Sequence, residues 1–209
     1  MFFGADVILF LAASLVVILA PGPDNILVLT RGVTQGRGAT LVSAAGASLG
    51  LVIHSAFAAV GLSALLAQSA AAFSVVKYVG AAYLIYLGVR ALLDRGSLAL
   101  ARGGPPMGLR KVFTQAVASN VLNPKIAVFF LAYLPQFADP ARGGTALQLL
   151  AFGLIFALLT LALFGALALF SGTIGSWLRA RPKLAGGLGW LTGGVLISLG
   201  LRLALQDCR

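Results

Sequence analysis

Six long apolar runs, separated by short polar or glycine-rich segments, constrain this chain more than any other feature of its sequence. They cover approximately residues 5–31, 39–67, 70–93, 112–134, 146–171 and 186–206. A helix needs about 20 apolar residues to cross the hydrocarbon core of a bilayer, so each run is long enough to span it. Each run is apolar on all faces, as a helix in lipid must be. The sequence therefore predicts an all-α integral membrane protein with about six transmembrane helices.

The runs leave no room for a separate soluble domain, so residues 1–209 are predicted to form one transmembrane domain. Charged residues make up 10% of the sequence, whereas soluble domains contain about 25%. The first run lacks a preceding basic segment, which favours a spanning helix over a signal peptide.

The basic residues indicate topology. The formal net charge is +10, but the basic residues lie singly between apolar runs, which argues against nucleic-acid binding. By the positive-inside rule, connections rich in basic residues are cytoplasmic, and six spans then place both termini outside, in the periplasm or its equivalent. Ten of the fifteen basic residues lie in or beside alternate connections: Arg31, Arg37, Arg90, Arg95, Arg102, Arg110, Lys111, Arg179, Arg181 and Lys183.

The two halves of the chain resemble each other. LGVRALL at 87–93 matches LGLRLAL at 199–205, and Gly50 and Gly153 hold corresponding places in the second and fifth runs. Chance agreement in an apolar chain is the alternative. Because each half has three runs, a duplicated second half is inverted, which gives a 3+3 inverted repeat with halves at about 1–95 and 110–209, joined by a cytoplasmic loop at 94–111. Secondary transporters often have this architecture, with the substrate site at the repeat interface.

Prolines are expected to break the first and fourth helices. Proline lacks an N–H and clashes with the preceding turn, so Pro21-Gly22-Pro23 and Asn123-Pro124 should leave peptide groups unpaired. In lipid, unpaired peptide groups are tolerated only beside a protein-lined or watery cavity. A simple kink is the alternative, but the polar residues flanking both breaks favour a binding site.

Two charged residues follow the breaks, Asp24 the first and Lys125 the second. A charge near the bilayer centre costs at least about 2.5 kcal/mol, so the pair is predicted to neutralise each other or to divide a zwitterion. A carboxylate would contact Lys125 and half-helix amides, and an ammonium would contact Asp24 and freed carbonyls; alternatively, Asp24 merely reaches cytoplasmic water. The candidate substrate-binding residues are Pro21, Gly22, Pro23, Asp24, Asn25, Asn120, Asn123, Pro124 and Lys125.

His54 is a candidate for proton coupling, because histidine titrates near neutral pH. A hydrogen bond from His54 to a neighbouring carbonyl is an equal alternative. Lys77, at the start of the third run, is expected to extend to the outer interface. Gly46 and Gly50 lie at helical spacing, which favours close packing within the chain, with a homodimer face as the alternative.

Enzyme and redox functions are not predicted, and neither a metal nor a cofactor is expected. The sequence has one histidine and no glutamate, which leaves too few ligands for a metal site. Cys208 is the only cysteine, so one chain can form neither a disulfide nor a CxxC pair. No GxSxG-like motif provides a nucleophile, and only His54 could act as its base.

Several motifs together resemble the LysE/RhtB amino-acid exporter family, nearest to its homoserine/threonine-type branch. They are PGPDN at 21–25, QG at 35–36, GASLGLVIH at 46–54, VVKYVGAAYLIYLGVR at 75–90 and NVLNPKIAVFFLAYLPQF at 120–137. The resemblance implies functional positions at Pro21, Gly22, Pro23, Asn123, Pro124 and Lys125. Some members of that family have an acidic residue in the fifth span, where this chain has the neutral Thr160. This difference makes Asp24 and His54 the candidates for proton coupling.

The resemblance implies a secondary transporter that exports amino acids or close derivatives from a bacterial inner membrane, driven by the proton-motive force. The partners expected are an amino-acid substrate, protons and lipid. Two alternatives stay open: a membrane interaction or assembly protein that does not transport, and a metal-ion exporter of the same superfamily.

Overall fold

The computed structural model describes residues 5–20, 22–62, 70–93, 106–180 and 182–205, and the regular structure within these ranges is helical. The eight α-helices of the described residues are α1 (Ala5–Leu19), α2 (Pro23–Gln35), α3 (Arg37–Phe57), α4 (Ala70–Leu93), α5 (Leu109–Val121), α6 (Pro124–Val128), α7 (Thr145–Ala180) and α8 (Pro182–Leu205). A π-helical turn at Ala58–Leu62 extends α3, and turns at Phe129–Tyr133 and Leu134–Phe137 extend α6. A short 3-10 turn, Pro140–Arg142, precedes α7.

Three segments are long and apolar enough to cross a membrane: Arg37–Gly61, Ala71–Leu93 and Thr145–Phe170. Two further pairs of helices pass the same test together, with a bend of 57° between α1 and α2 and of 47° between α5 and the α6 segment. If each bent pair counts as one span, the described residues hold five candidate spans, and α8 adds a shorter apolar stretch. The all-helical membrane class is therefore confirmed, with three to five candidate spans where six were predicted.

Local sequence explains where α2 and α6 begin. Both start at a proline, Pro23 and Pro124, whose fixed φ suits the first helical position, where no N–H is needed. Asn123 caps α6, because its Oδ1 accepts a hydrogen bond from the Lys125 amide at 3.0 Å, as asparagine commonly does at this position. Gly22 precedes α2 in an extended conformation.

Glycines allow α4 and α8 to pack closely. A Cβ atom at Gly88 would lie 2.7 Å from the Gly193 carbonyl oxygen, and one at Gly200 would lie 2.8 Å from the Ala81 carbonyl oxygen. Such small residues bring backbones together where lipid provides no hydrophobic drive for helix association.

Gly46 and Gly50 of α3 pack within the chain, as expected. A Cβ at Gly46 would lie 2.6 Å from the Phe113 carbonyl oxygen of α5, and one at Gly50 would lie 2.6 Å from Asn120 Oδ1. The close approach of α3 to α5 therefore depends on glycine at both positions.

Gly193→Ala is expected to lower thermal stability, whereas Gly194→Ala is not. A Cβ at Gly193 would lie 2.5 Å from Leu92 Cγ, but one at Gly194 meets nothing within 4 Å. Overpacking costs about 1–3 kcal/mol, which corresponds to a fall in Tm of roughly 2–4 °C per kcal/mol for a chain of this size. The melting of both variants in the same detergent measures the difference. Equal Tm values would show that α4 and α8 do not pack in this way.

Lys77 lies elsewhere than predicted. Its side chain is 2% exposed, and its Nζ lies 4.7 Å from the centre of the Tyr78 ring. It belongs to the buried face of α4 that also contains Phe73, Ala81 and Leu84. The expected extension to the membrane interface was therefore wrong, because the helix turns this position toward its neighbours rather than toward lipid.

Candidate functional site

Asp24, the second residue of α2, accepts hydrogen bonds from three side chains of the other half of the chain. Its Oδ1 accepts from Ser119 Oγ at 3.1 Å, and its Oδ2 accepts from Asn120 Nδ2 at 2.7 Å and from Asn123 Nδ2 at 3.0 Å. The carboxylate is buried, and it lies in the first turn of α2, where the helix dipole favours a negative charge. The negative charge of this buried acid is therefore stabilised by three side-chain donors and the helix dipole rather than by bulk water.

Two asparagines hold the second break against Asp24. Asn123 donates to Asp24 through Nδ2 and caps α6 through Oδ1, so one side chain links the two breaks. Asn120 donates to Asp24, and its main-chain oxygen lies 3.3 Å from His54 Nε2, which donates when it carries the proton. The Asn120 Oδ1 atom is buried and has no hydrogen-bond partner among the described residues.

Lys125, the second residue of α6, reaches in the opposite direction. Its buried Nζ donates to the carbonyl oxygens of Val17 at 3.0 Å and Ala20 at 2.9 Å, at the C-terminal end of α1. Asn25 covers a third carbonyl of this helix end, donating to Ile18 at 2.7 Å. Buried carbonyls without a partner cost about 1–3 kcal/mol each, so these side chains stabilise the end of α1.

Asp24 and Lys125 therefore hold equivalent places. Each follows the proline that starts its helix, and each bonds to the opposite break. Within the described residues the two charged groups do not approach within 4.0 Å of each other, and each bonds to other groups. Their opposite charges therefore compensate each other across the site without direct contact.

A cavity of about 10 Å³ lies between the breaks, enough for about one water molecule. Its polar wall consists of Asp24, Asn25, Asn120, Lys125 and Thr160. The apolar wall consists of Val17, Ile18, Leu51, Ile126, Phe156 and Phe164. An amino acid does not fit, so any ligand of this size requires the helices around the cavity to separate.

The structure brings most of the predicted site residues together. Asp24, Asn25, Asn120 and Lys125 line the cavity, while Asn123 contacts Asp24 from outside it. Gly22 lies against Lys125, and Pro23 and Pro124 begin α2 and α6. His54 contacts Asn120 rather than the cavity itself. Pro21 lies outside the described residues.

The sequence analysis missed Ser119, which donates to Asp24. Its spacing was a usable signal, because positions 119, 120 and 123 fall on one face of a helix. It also missed a second polar cluster, in which Arg31 donates to Gln115 Oε1 at 2.7 Å and Gln35 donates to the Met107 carbonyl at 2.9 Å. This cluster ties the C-terminal part of α2 to the beginning of α5. Its residues are far apart along the chain, so nothing in their spacing joins them.

Comparison with known proteins identifies relatives along nearly the whole chain. The family model described as LysE type translocator matches residues 15–207. An uncharacterized membrane protein of Vibrio cholerae is 32% identical over 196 residues, covering 93% of this chain and 94% of its own. The homoserine/homoserine lactone efflux protein of Salmonella typhimurium is 31% identical over 195 residues, with 93% and 94% covered. No solved structure gives a significant match. This chain therefore belongs to the LysE-type translocator family.

Proposed function

We propose that this protein is a secondary transporter that exports neutral amino acids or close derivatives, of the homoserine or threonine type, from the bacterial cytoplasm. The observation that carries the proposal is the pair of buried opposite charges, Asp24 and Lys125, on the wall of one cavity between two bent helix pairs. A zwitterion offers one group to each. In a bilayer, buried charges of this kind are costly and typically mark a substrate or ion pathway.

Two reciprocal sets of contacts support an inverted 3+3 repeat. Gly88 approaches Gly193 and Ile197, while Gly200 approaches Ala81 and Ile85. The two sets are related by one constant offset along the chain, as a two-fold axis between α4 and α8 requires. The contacts of Asp24 and Lys125 are also crossed, because each residue bonds to the end of the helix that precedes the other. In this proposal, each bent pair is one crossing broken at its proline, and the site lies at the repeat interface.

The substrate class follows from the groups on the cavity wall. Lys125, with the amides at the start of a half-helix, suits a carboxylate or carbonyl oxygen, and Asp24 suits an ammonium. Homoserine and its lactone, named for the Salmonella relative, share an ammonium next to an acyl oxygen. The apolar wall around Phe156 and Phe164 leaves no partner for a charged substrate side chain, which favours neutral amino acids.

Export by alternating access fits a cavity that is too small for an amino acid. On the cytoplasmic side assigned by the basic residues, α2 and α5 are joined by the Arg31–Gln115 and Gln35–Met107 contacts. These contacts and the Asp24 network must open before a substrate enters from that side. Asp24 and His54 are the groups proposed to couple transport to protons, in an inner-membrane protein whose termini both face the periplasm.

Proteoliposomes containing the purified protein are expected to release labelled L-threonine or L-homoserine in a saturable manner. Release should be faster when a proton gradient drives protons into the liposomes as the substrate leaves. Rates are compared with protein-free liposomes and with the Lys111→Met variant, whose replaced side chain is exposed at the start of α5. Release equal to that of protein-free liposomes across a broad amino-acid panel would contradict export. It would favour a protein whose bent helices serve only for packing.

A further inference from the structure

We infer that the C-terminal end of α1 is a binding subsite for a primary ammonium group, and that Lys125 occupies this subsite only until a substrate ammonium replaces it. The inference rests on the proposed function for its substrate, but the subsite itself is a property of the structure. The carbonyl oxygens of Val17 and Ala20 form it, with Asp24 on the same cavity wall.

The sequence leaves these carbonyls free. In a continuous helix, the Val17 carbonyl would accept from residue 21 and the Ala20 carbonyl from residue 24. Residue 21 is a proline, which has no N–H to donate. The chain leaves α1 after Leu19, and α2 begins anew at Pro23, so the Ala20 carbonyl also lacks its helical partner. Both oxygens lie at the negative end of the α1 dipole, where a cation is favoured.

Lys125 fills this site as a ligand would. Its Nζ uses two of its three N–H donors on the two carbonyls, a geometry that a primary ammonium of any molecule can reproduce. Gly22 makes the approach open, since a Cβ there would lie 3.0 Å from Nζ and 3.4 Å from Cε. Gly22 has extended backbone angles that any residue adopts, so glycine provides space at this position and not a special conformation.

Binding of a substrate ammonium releases the Lys125 side chain from the carbonyls, and the return of Lys125 displaces the substrate. When a substrate ammonium takes the carbonyls, the Lys125 side chain is freed, and its charge becomes available to the substrate carboxylate or acyl oxygen. Without substrate, Lys125 returns and keeps the buried oxygens paired. The subsite therefore favours primary ammonium ligands and disfavours quaternary ones, which have no N–H to donate.

Truncation of the lysine gives a direct test. Lys125→Ala removes the side chain beyond Cβ, and n-propylammonium has the size and charge of the missing part. The melting temperature of the purified variant is expected to rise by roughly 5–11 °C with n-propylammonium at a hundred times its Kd. Wild type should show no such rise, because n-propylammonium has no carboxylate to pair with the displaced Lys125 ammonium. Lys125→Met should show none either, because its side chain still fills the space. Propanol and trimethylpropylammonium should fail on Lys125→Ala, and Gly22→Val in the Lys125→Ala background should abolish the response.

A Lys125→Ala variant that folds and does not respond to n-propylammonium overturns the subsite. A response that persists with Gly22→Val, or that propanol matches, also overturns it, because the amine would then bind elsewhere or without its charge. If Lys125→Ala does not fold, magnetic resonance of isotope-labelled lysine in the wild type decides: the Lys125 signal must shift when unlabelled L-threonine or L-homoserine is added, and an unchanged signal overturns the inference.

The two proposals fail separately. If the wild type transports amino acids but Lys125→Ala does not bind the amine, the export proposal stands and the subsite is contradicted. If Lys125→Ala binds the amine but the wild type shows no flux, the subsite stands and the export proposal is contradicted.

Discussion

Lys125→Met is expected to reduce amino-acid efflux to the level of protein-free liposomes while the protein still inserts into the membrane. Methionine retains most of the length and apolar character of the lysine stem but removes its ammonium. The Val17 and Ala20 carbonyls then lose their donor, and Asp24 loses its buried counter-charge. A substrate carboxylate also loses its cationic partner, so the protein is destabilised without substrate and binds substrate more weakly.

The measurement is efflux per molecule of inserted protein, taken well below the Tm of each variant. Lys111→Met is the matched control, because Lys111 lies exposed in the first turn of α5 and contacts no part of the cavity. Its efflux should equal that of the wild type. Undiminished efflux by Lys125→Met would exclude Lys125 from the transport site.

The membrane class was predictable because it depends on composition and run length alone. An apolar run of spanning length, such as 146–171, cannot be exposed to water as a helix. In the structure this run lies within α7. The number of spans was less predictable. Hydropathy does not reveal the direction of a helix axis, so the bends of 57° and 47° and the separation of α1 from α2 cannot be derived from it.

The residues of the candidate site were predictable for a related reason. Charged and amide side chains are rare in apolar runs, and proline marks the places where backbone groups lose their partners. Asp24, Asn123 and Lys125 meet both criteria. Their hydrogen-bond partners were not predictable, because a crossed arrangement, with Lys125 on the carbonyls of α1, depends on which helices pack together.

The burial of Lys77 could not be predicted from its place along the chain. Its place near the beginning of a run suggested an interface, but burial depends on the helix face. Positions 73, 77, 81 and 84 share the buried face of α4, and the sequence does not indicate which face meets protein when all faces are apolar. The same limitation hid the contact of Arg31 with Gln115.

Asp24→Asn is expected to lower efflux by roughly 10- to 100-fold. The carboxylate accepts from Ser119, Asn120 and Asn123, and an asparagine would present an amide group to at least one of these donors. A hydrogen bond to a charged group contributes about 1.5–3 kcal/mol, and each 1.4 kcal/mol changes a rate or affinity about tenfold. Asp139→Asn is the control, since Asp139 lies in the exposed turn before α7, where it pairs with Arg142.

Exchange of labelled for unlabelled substrate, without a proton gradient, separates the two roles proposed for Asp24. If Asp24 holds the substrate ammonium, Asp24→Asn loses exchange as well as proton-driven efflux. If it only carries the proton, exchange continues at the wild-type rate, and Asp24 is removed from the substrate site.

Stability of the combined variant tests whether the two buried charges compensate each other. Asp24→Asn leaves Lys125 as an uncompensated buried cation, and Lys125→Met leaves Asp24 as an uncompensated buried anion, each at a cost of about 3–5 kcal/mol. The double variant leaves neither charge, so its loss of Tm is expected to be smaller than the sum of the two single losses, with a coupling on the order of 1–3 kcal/mol. Efflux should stay absent, because the charges that hold the zwitterion are gone. Additive losses of Tm would mean that each charge is stabilised only by its own hydrogen bonds, and the electrostatic pairing across the cavity would then carry no part of the mechanism.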